Sequence, residues 1–231
     1  MSLFFDTTSK IRSLISRIAT RSSDPQRTLG NMRIGVIGAG QLGGTLARWC
    51  AESGHDVAVT SRHPERLHFE DDASMQVMSV KQAATFGDVV IFSPNWSSAF
   101  EALEQTRGLL ADKVIIDVTN PDIPDDISGL EALMDRAHEG HWAKAFNTLP
   151  TDVLNRRRGH DPLMTEFVCT DDRDARQAAS RIIRDLGFAP VYAGGAHAAL
   201  LTETGGPLQM LEVDVKDATE VLAEALTHHP I

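Results

Sequence analysis

Met32-Arg-Ile-Gly-Val-Ile-Gly38-Ala-Gly40-Gln-Leu-Gly43-Gly44-Thr-Leu-Ala47 runs from a short apolar stretch through a cluster of glycines into good helix formers. Ile34, Val36 and Ile37 read as a buried strand, and Thr45 to Glu52 reads as the helix after it. Between them Gly38, Gly40 and Gly43 keep the G-x-G-x-x-G spacing of a dinucleotide-binding turn. Gly38 allows the sharp exit from the strand, Gly40 lets a pyrophosphate reach the backbone, and Gly43 lets the helix pack closely. Ala39, Gln41 and Leu42 complete the turn, where the unpaired N–H groups of the helix start favour an anion.

The following strand, His55 to Thr60, decides which nucleotide fits. An NAD site carries Asp or Glu at this tip to bind the ribose 2′-hydroxyl, whereas an NADP site omits the acid and supplies Arg for the 2′-phosphate. Here the tip reads Thr60-Ser61-Arg62-His63-Pro64-Glu65-Arg66. Two hydroxyls precede Arg62, whose planar fork suits a phosphate, and Arg66 can close the other side. The expected cofactor is therefore NADP(H).

Further along, a polar loop from Leu67 to Ser74 leads to strands expected at 75–80, 88–92, 113–117, 141–146, 163–170 and 189–192. Helices are expected at 81–86, 97–107 with Phe100 and Leu103 inward, 131–138, 152–158 and 172–186. A mostly helical segment, 197–226, is interrupted by Gly205-Gly206-Pro207, and His228 and His229 read as a frayed tail. This alternation gives an α/β fold, a Rossmann-type doubly wound and mostly parallel sheet with a short C-terminal α/β extension. The expected division is a basic amphipathic extension (1–31), an NADP-binding domain (32–145) and a C-terminal acceptor-side segment (146–231). Strand ends carry small polar groups: Ser93-Pro94-Asn95-Trp96, Val118-Thr119-Asn120-Pro121, and Asn147-Thr148. A doubly wound sheet binds ligands in that crevice. Trp96 reads either as a cofactor flank or as helix packing, and Arg156-Arg157-Arg158 as a solvated patch.

The chain has 231 residues, 42% of them apolar, and a net charge of −10 with a pI near 5.3, so a soluble globular protein without a nucleic-acid surface is expected. No apolar run approaches the roughly 20 residues that span a bilayer. Cys50 and Cys169 lack metal-ligand spacing and read as reduced core thiols of a cytoplasmic protein. The first 31 residues differ, with Lys10, Arg12, Arg17, Arg21 and Arg27 against Asp6 and Asp24. They read as a docking helix for a partner or subunit, or as sequence ahead of a start at Met32.

Together the glycine turn, Ser61-Arg62, Ser93-Pro94-Asn95-Trp96, Val114 to Pro121 and above all Lys144-Ala-Phe-Asn147-Thr148 resemble the NADPH-dependent reductases of the deazaflavin coenzyme F-420. The same module is similar to the cytosolic oxidoreductase domain of STEAP-type ferric and cupric reductases. The resemblance covers about Met32 to Met210. It implies Gly38, Gln41, Leu42, Ser61, Arg62 and Arg66 for NADP, and Pro94, Asn120, Asn147 and Thr148 near the nicotinamide. It implies F-420, FAD or FMN as a small-molecule acceptor and hydride transfer between stacked rings, without a dedicated protein acid or base. Chains of this fold often pair, so a homodimer is expected. Against the resemblance, Gly205-Gly206 does not match a deazaflavin-binding helix residue by residue, and the transmembrane half of the STEAP-type proteins is absent.

Competing readings meet particular residues. A short-chain dehydrogenase needs Lys four residues after its Tyr, and the single tyrosine, Tyr192, has Ala196 there. Two-domain hydroxyacid dehydrogenases need a long helical second domain and a catalytic lysine on a helix, whereas Lys144 falls on a strand, with a structural or substrate-edge role. A pyrroline-carboxylate-reductase-like imine reductase and a non-catalytic NADP-binding sensor or partner subunit stay open as alternatives.

Overall fold

Ile34, Gly35, Val36 and Ile37 are buried on both faces of the first strand, which places it at the centre of a covered sheet. The structure is a computed structural model that describes residues 31–61 and 74–229. Its eight strands are β1 (Arg33–Ile37), β2 (Asp56–Thr60), β3 (Met75–Val77), β4 (Val89–Phe92), β5 (Val114–Asp117), β6 (His141–Lys144), β7 (Thr165–Cys169) and β8 (Ala189–Gly194). They form one sheet in the order β3-β2-β1-β4-β5-β6-β7-β8. Every neighbouring pair is parallel except β6 with β7. The first six strands thus have the Rossmann doubly wound order, with the reversal between β1 and β4. Residues 32–231 form one compact unit.

Parallel neighbours require crossovers, and among the described residues a helix follows each strand from β3 to β7 as well as β1. These are α1 (Gln41–Glu52), α2 (Val80–Phe86), α3 (Trp96–Thr106), α4 (Gly129–Arg136), α5 (Thr151–Arg157) and α6 (Arg173–Asp185). A 3₁₀ helix (Ala196–Leu201) and α7 (Val215–His228) complete the chain. Sequence chemistry sets the helix starts: Ser79 with Gln82, and Ser128 with Glu131, form capping boxes on α2 and α4. Asp172 and Asp214 cap α6 and α7.

Two apolar cores lie on the two faces of the sheet. On one, Ile34 and Val36 pack with Leu46, Trp49 and Cys50 of α1 and Ile182 and Ile183 of α6. On the other, Ile37, Phe92 and Ile115 pack with Leu103 of α3, Leu133 of α4 and Leu201 of the 3₁₀ helix. Cys50 and Cys169 are free and buried, one in each core.

Several expectations are corrected. Phe100 is not inward: Ala99, Leu103 and Thr106 make the buried stripe of α3, and Phe100, one position off it, is 36% exposed. It stacks edge-on with Trp96 at 5.5 Å and lies under the Arg136 guanidinium. The strand expected to reach Phe146 ends at Lys144, because Phe146 turns into the left-handed region at φ 57°. The third strand stops at Val77, since Ser79 already caps α2. The segment 197–226 is a 3₁₀ helix, a run of turns, and α7, which extends through His228. Arg156 and Arg158 are not simply solvated: Arg156 pairs with Glu212, and Arg158 pairs with Glu52 at 2.5 Å while its guanidinium covers Trp49. Residues 1–30 and most of the polar loop 67–74 lie outside the described residues.

Candidate functional site

The glycine turn is built as its spacing requires. Gly38 has φ 97°, and a Cβ there would stand 2.5 Å from the Ser93 carbonyl oxygen. Gly43 lies against the Gly38 carbonyl and 2.8 Å, measured from a would-be Cβ, from Ser93 Oγ. The two glycines therefore clamp the start of α1 onto the turn after β1 and the loop after β4, a closer packing partner for Gly43 than the strand itself. The Ala39 N–H donates to the Thr60 carbonyl at 2.7 Å and ties this elbow to the tip of β2.

Gly40 differs from its neighbours. It is exposed, and nothing lies within 4 Å of where its Cβ would be. It is also the N-cap of α1, where no side chain caps the helix and no acid occupies the first turn. Gln41 is exposed and Leu42 half-buried at that same helix start. An open backbone face at the positive end of a twelve-residue helix fits the pyrophosphate of a dinucleotide. Thr60 is buried at the tip of β2 and Ser61 half-buried beyond it. Arg62 and Arg66 lie outside the described residues.

The other expected residues stand at the carboxyl ends of β4, β5 and β6, beside the switch point. Ser93 and Pro94 are half-buried and Asn95 exposed. Trp96 packs on the core beneath α3 and against Phe100, so packing is the contact it makes in the protein. Asn120 and Asn147 join the ends of β5 and β6. Asn120 Nδ2 donates to the Asn147 carbonyl at 2.7 Å, and Asn147 Nδ2 donates to Asn120 Oδ1 and to the Thr202 carbonyl, each at 3.0 Å. Thr148 is buried, and its carbonyl accepts the Met210 N–H at 2.9 Å. Two buried oxygens in these loops, Thr119 Oγ1 and Asn147 Oδ1, make no hydrogen bond within the protein, so polar capacity is left open here. A cleft of about 490 Å³ adjoins the bridge, lined in part by Pro121, Pro124, Leu200, Gly205, Pro207 and His228.

Beneath the bridge lies an arrangement that sequence reasoning only half anticipated. Lys144 is fully buried, with its ammonium 2.7 Å from Asp117 Oδ2 and 2.7 Å from Glu203 Oε1. Burial pulls its pKa down, but Asp117 and then Glu203 more than offset this, so the net shift is upward and the ammonium stays charged. The other Asp117 oxygen accepts the Thr119 N–H at 2.9 Å. Glu203 accepts the N–H groups of Gly129 and Leu130 at the start of α4. Asp117 and Lys144 are register partners on β5 and β6, a signal available once the strands are aligned. Glu203 is far away in sequence and had no such signal.

Among the described residues, no group of three or more His, Cys, Asp or Glu is placed to hold a metal ion, and no helix is long and apolar enough to cross a membrane.

The chain is similar to known reductases. The chain is 28% identical over 188 residues to the metalloreductase STEAP3 of Rattus norvegicus, covering 78% of this chain and 37% of that protein, so it spans little more than a third of that relative. It is 26% identical over 227 residues to the F420-dependent NADP reductase of Methanothermobacter thermautotrophicus, covering 86% of this chain and 96% of the relative. The solved structure of protein SMa0349 from Sinorhizobium meliloti superposes with a TM-score of 0.70 at 26% identity, covering 80% of this chain and 95% of that one. Residues 33–121, from the glycine elbow to the end of the Asn120 loop, match the family described as NADP oxidoreductase, coenzyme F420-dependent, and the chain is similar to this family's reductases along most of its length.

Proposed function

We propose that this protein is an NADP(H)-dependent reductase that moves a hydride between NADPH and a flavin-like acceptor, a deazaflavin such as F-420 or FAD or FMN. The observation that carries the reading is Gly40: an unobstructed glycine at an uncapped helix start, in the turn after β1 at the switch point of a doubly wound sheet. When bound, NADPH supplies the hydride and the acceptor ring receives it.

The chain's own residues bind, orient and exclude water. Gly38, Ala39, Gly40, Gln41, Leu42 and Gly43 hold the pyrophosphate; Thr60, Ser61, Arg62 and Arg66 take the phosphorylated ribose. Ser93, Pro94, Asn95, Asn120, Asn147 and Thr148 surround the nicotinamide end, and the buried Asn147 and Thr148 with the half-buried Ser93, Pro94 and Asn120 limit water there. A reaction that depends on two rings lying face to face asks for rigid walls rather than a protein acid or base. The doubly bonded Asn120–Asn147 pair is such a wall.

The test mixes purified protein anaerobically with NADPH and, separately, F-420, FAD or FMN, with and without ferric or cupric ions as terminal acceptors. Loss of the nicotinamide absorbance with one ring acceptor supports the proposal. No loss with any acceptor, despite measurable NADPH binding, would leave a non-catalytic NADP-binding subunit as the function.

A further inference from the structure

We propose that Lys144 is a positioning residue for the nicotinamide end of the crevice, acting through Asp117 and Glu203 to hold Asn120, Asn147 and Thr202 in one arrangement; its meaning for turnover rests on the function proposed above. Three chain segments meet at the one ammonium: the end of β5 through Asp117, the end of β6 through Lys144, and the turn after the 3₁₀ helix through Glu203. Each carries one member of the amide bridge close by. Asn120 follows Asp117 by three residues, Asn147 follows Lys144 by three, and Thr202 immediately precedes Glu203.

Stability alone is a poor account of such a group. A buried cation with two carboxylates costs desolvation that its mutual attraction barely repays, and apolar replacements of equal volume are often as stable or more so. What the ions supply is direction and register. Asp117 divides its carboxylate between Lys144 and the Thr119 N–H, which fixes the turn that leads to Asn120. Glu203 divides its own between Lys144 and the start of α4.

Backbone strain is concentrated at the same place. Phe146, between Lys144 and Asn147, has φ 57°, and Met210, bonded to the Thr148 carbonyl, has φ 64°. Neither residue type favours the left-handed region, so Asn147 and Thr148 are held between two conformations that the surroundings must enforce. The Lys144 ion group is the buried anchor nearest in sequence to the first of them.

Two variants separate positioning from simple structural support: Lys144→Met alone, and the neutral triple variant Asp117→Asn/Lys144→Met/Glu203→Gln. Expected for the single variant is a marked fall in melting temperature, since two buried carboxylates lose their cation. Expected for the triple is recovery to within a few degrees of wild type, with displaced side-chain amide resonances of Asn120 and Asn147 in ¹⁵N spectra. In the triple, turnover of NADPH is expected to fall at least tenfold while the KM for NADPH changes less than threefold. A triple variant with wild-type amide resonances and turnover would overturn the proposal, and so would one that cannot fold, because the ions would then be serving stability. If the wild-type protein oxidises no NADPH, the proposed function fails, and the amide resonances still decide the positioning role.

Discussion

The Gly38 α-carbon faces the Ser93 carbonyl so closely that a methyl group on it would stand 2.5 Å from the oxygen, while Gly40, two residues on, faces open space. The two glycines should therefore fail differently. Gly38→Ala adds a steric overlap to a left-handed backbone costing roughly 1–2 kcal/mol, and should lower both melting temperature and NADPH affinity. Gly40 has φ −73°, which any residue adopts, so Gly40→Ala should melt within about 2 °C of wild type, an effect below roughly 0.5 kcal/mol. It should nevertheless bind NADPH at least tenfold more weakly in a fluorescence titration, because its methyl would occupy the pyrophosphate's place. Unchanged affinity in Gly40→Ala would move the pyrophosphate away from this elbow.

That contrast also marks what the sequence discloses. Strand, glycine turn and helix were legible because each follows from local chemistry: an apolar run, residues without Cβ, good helix formers. The polar strand ends were legible for the same reason, whereas Ser79, which caps α2, was read into the strand before it. What stayed hidden depends on partners distant along the chain. Lys144 was visible as a lysine on a strand, but its burial between Asp117 and Glu203 requires the 3₁₀ helix to return over β6. The inward reading of Phe100 failed by one helical position, about 100°, which a short helix with an aromatic at its margin cannot resolve by pattern alone. The left-handed Phe146 had no sequence cue, since bulky aromatics disfavour that conformation.

Nucleotide preference follows from the tip of β2, where Thr60 and Ser61 stand in place of an acid ahead of Arg62 and Arg66. NADPH should bind at least tenfold more tightly than NADH, an increment of about 1.4 kcal/mol or more. Arg62→Ala should remove most of that gap, because the role proposed for its fork is to bind the 2′-phosphate that NADH lacks. Parallel titrations of both nucleotides measure the gap. Equal affinities in the wild-type protein would refute the assignment.

Glu166 on β7 is fully buried, and neither carboxylate oxygen makes a hydrogen bond. Burial pushes its pKa up to about 8, with a weaker opposing pull from the Phe146 backbone, so the folded protein holds it neutral at pH 7. The unfolded chain ionises it near the ordinary carboxylate value of 4.5. Its contribution to stability is thus fully present below about pH 4.5 and is lost as the pH rises through about 8. At roughly 1.4 kcal/mol per pKa unit, the loss is on the order of 5 kcal/mol. Glu166→Met, similar in size and without an ionisable group, should be more stable than wild type at pH 8 and should lack this decline. Urea unfolding of both proteins between pH 5 and 8.5 measures it, and parallel curves would show that Glu166 is ionised in the fold.

His55 gives the opposite slope. It is buried at the start of β2, its Nδ1 accepts the Met32 N–H at 3.2 Å, and its Nε2 lies 3.3 Å from Asp185 Oδ2. An Nδ1 that accepts a hydrogen bond carries no proton, so the ring is neutral in this arrangement. Desolvation lowers its pKa, and the nearby Asp185 only partly opposes that shift. A depressed folded pKa means that stability from this group is present above the unfolded value of about 6.5 and is lost as the pH falls through the lower folded value. Acid should therefore weaken the junction of β1, β2 and the end of α6, where His55 joins Met32 to Asp185. His55→Gln keeps an acceptor for the Met32 N–H but cannot take up a proton. Between pH 7.5 and 5 its melting temperature should fall less than that of the wild type, and it should show slower amide exchange at Met32 than the wild type does at pH 5. Identical acid profiles for the two proteins would mean that the fold leaves the His55 pKa at its unfolded value, and a wild type that weakens less than His55→Gln in acid would mean that Asp185, rather than burial, governs its charge.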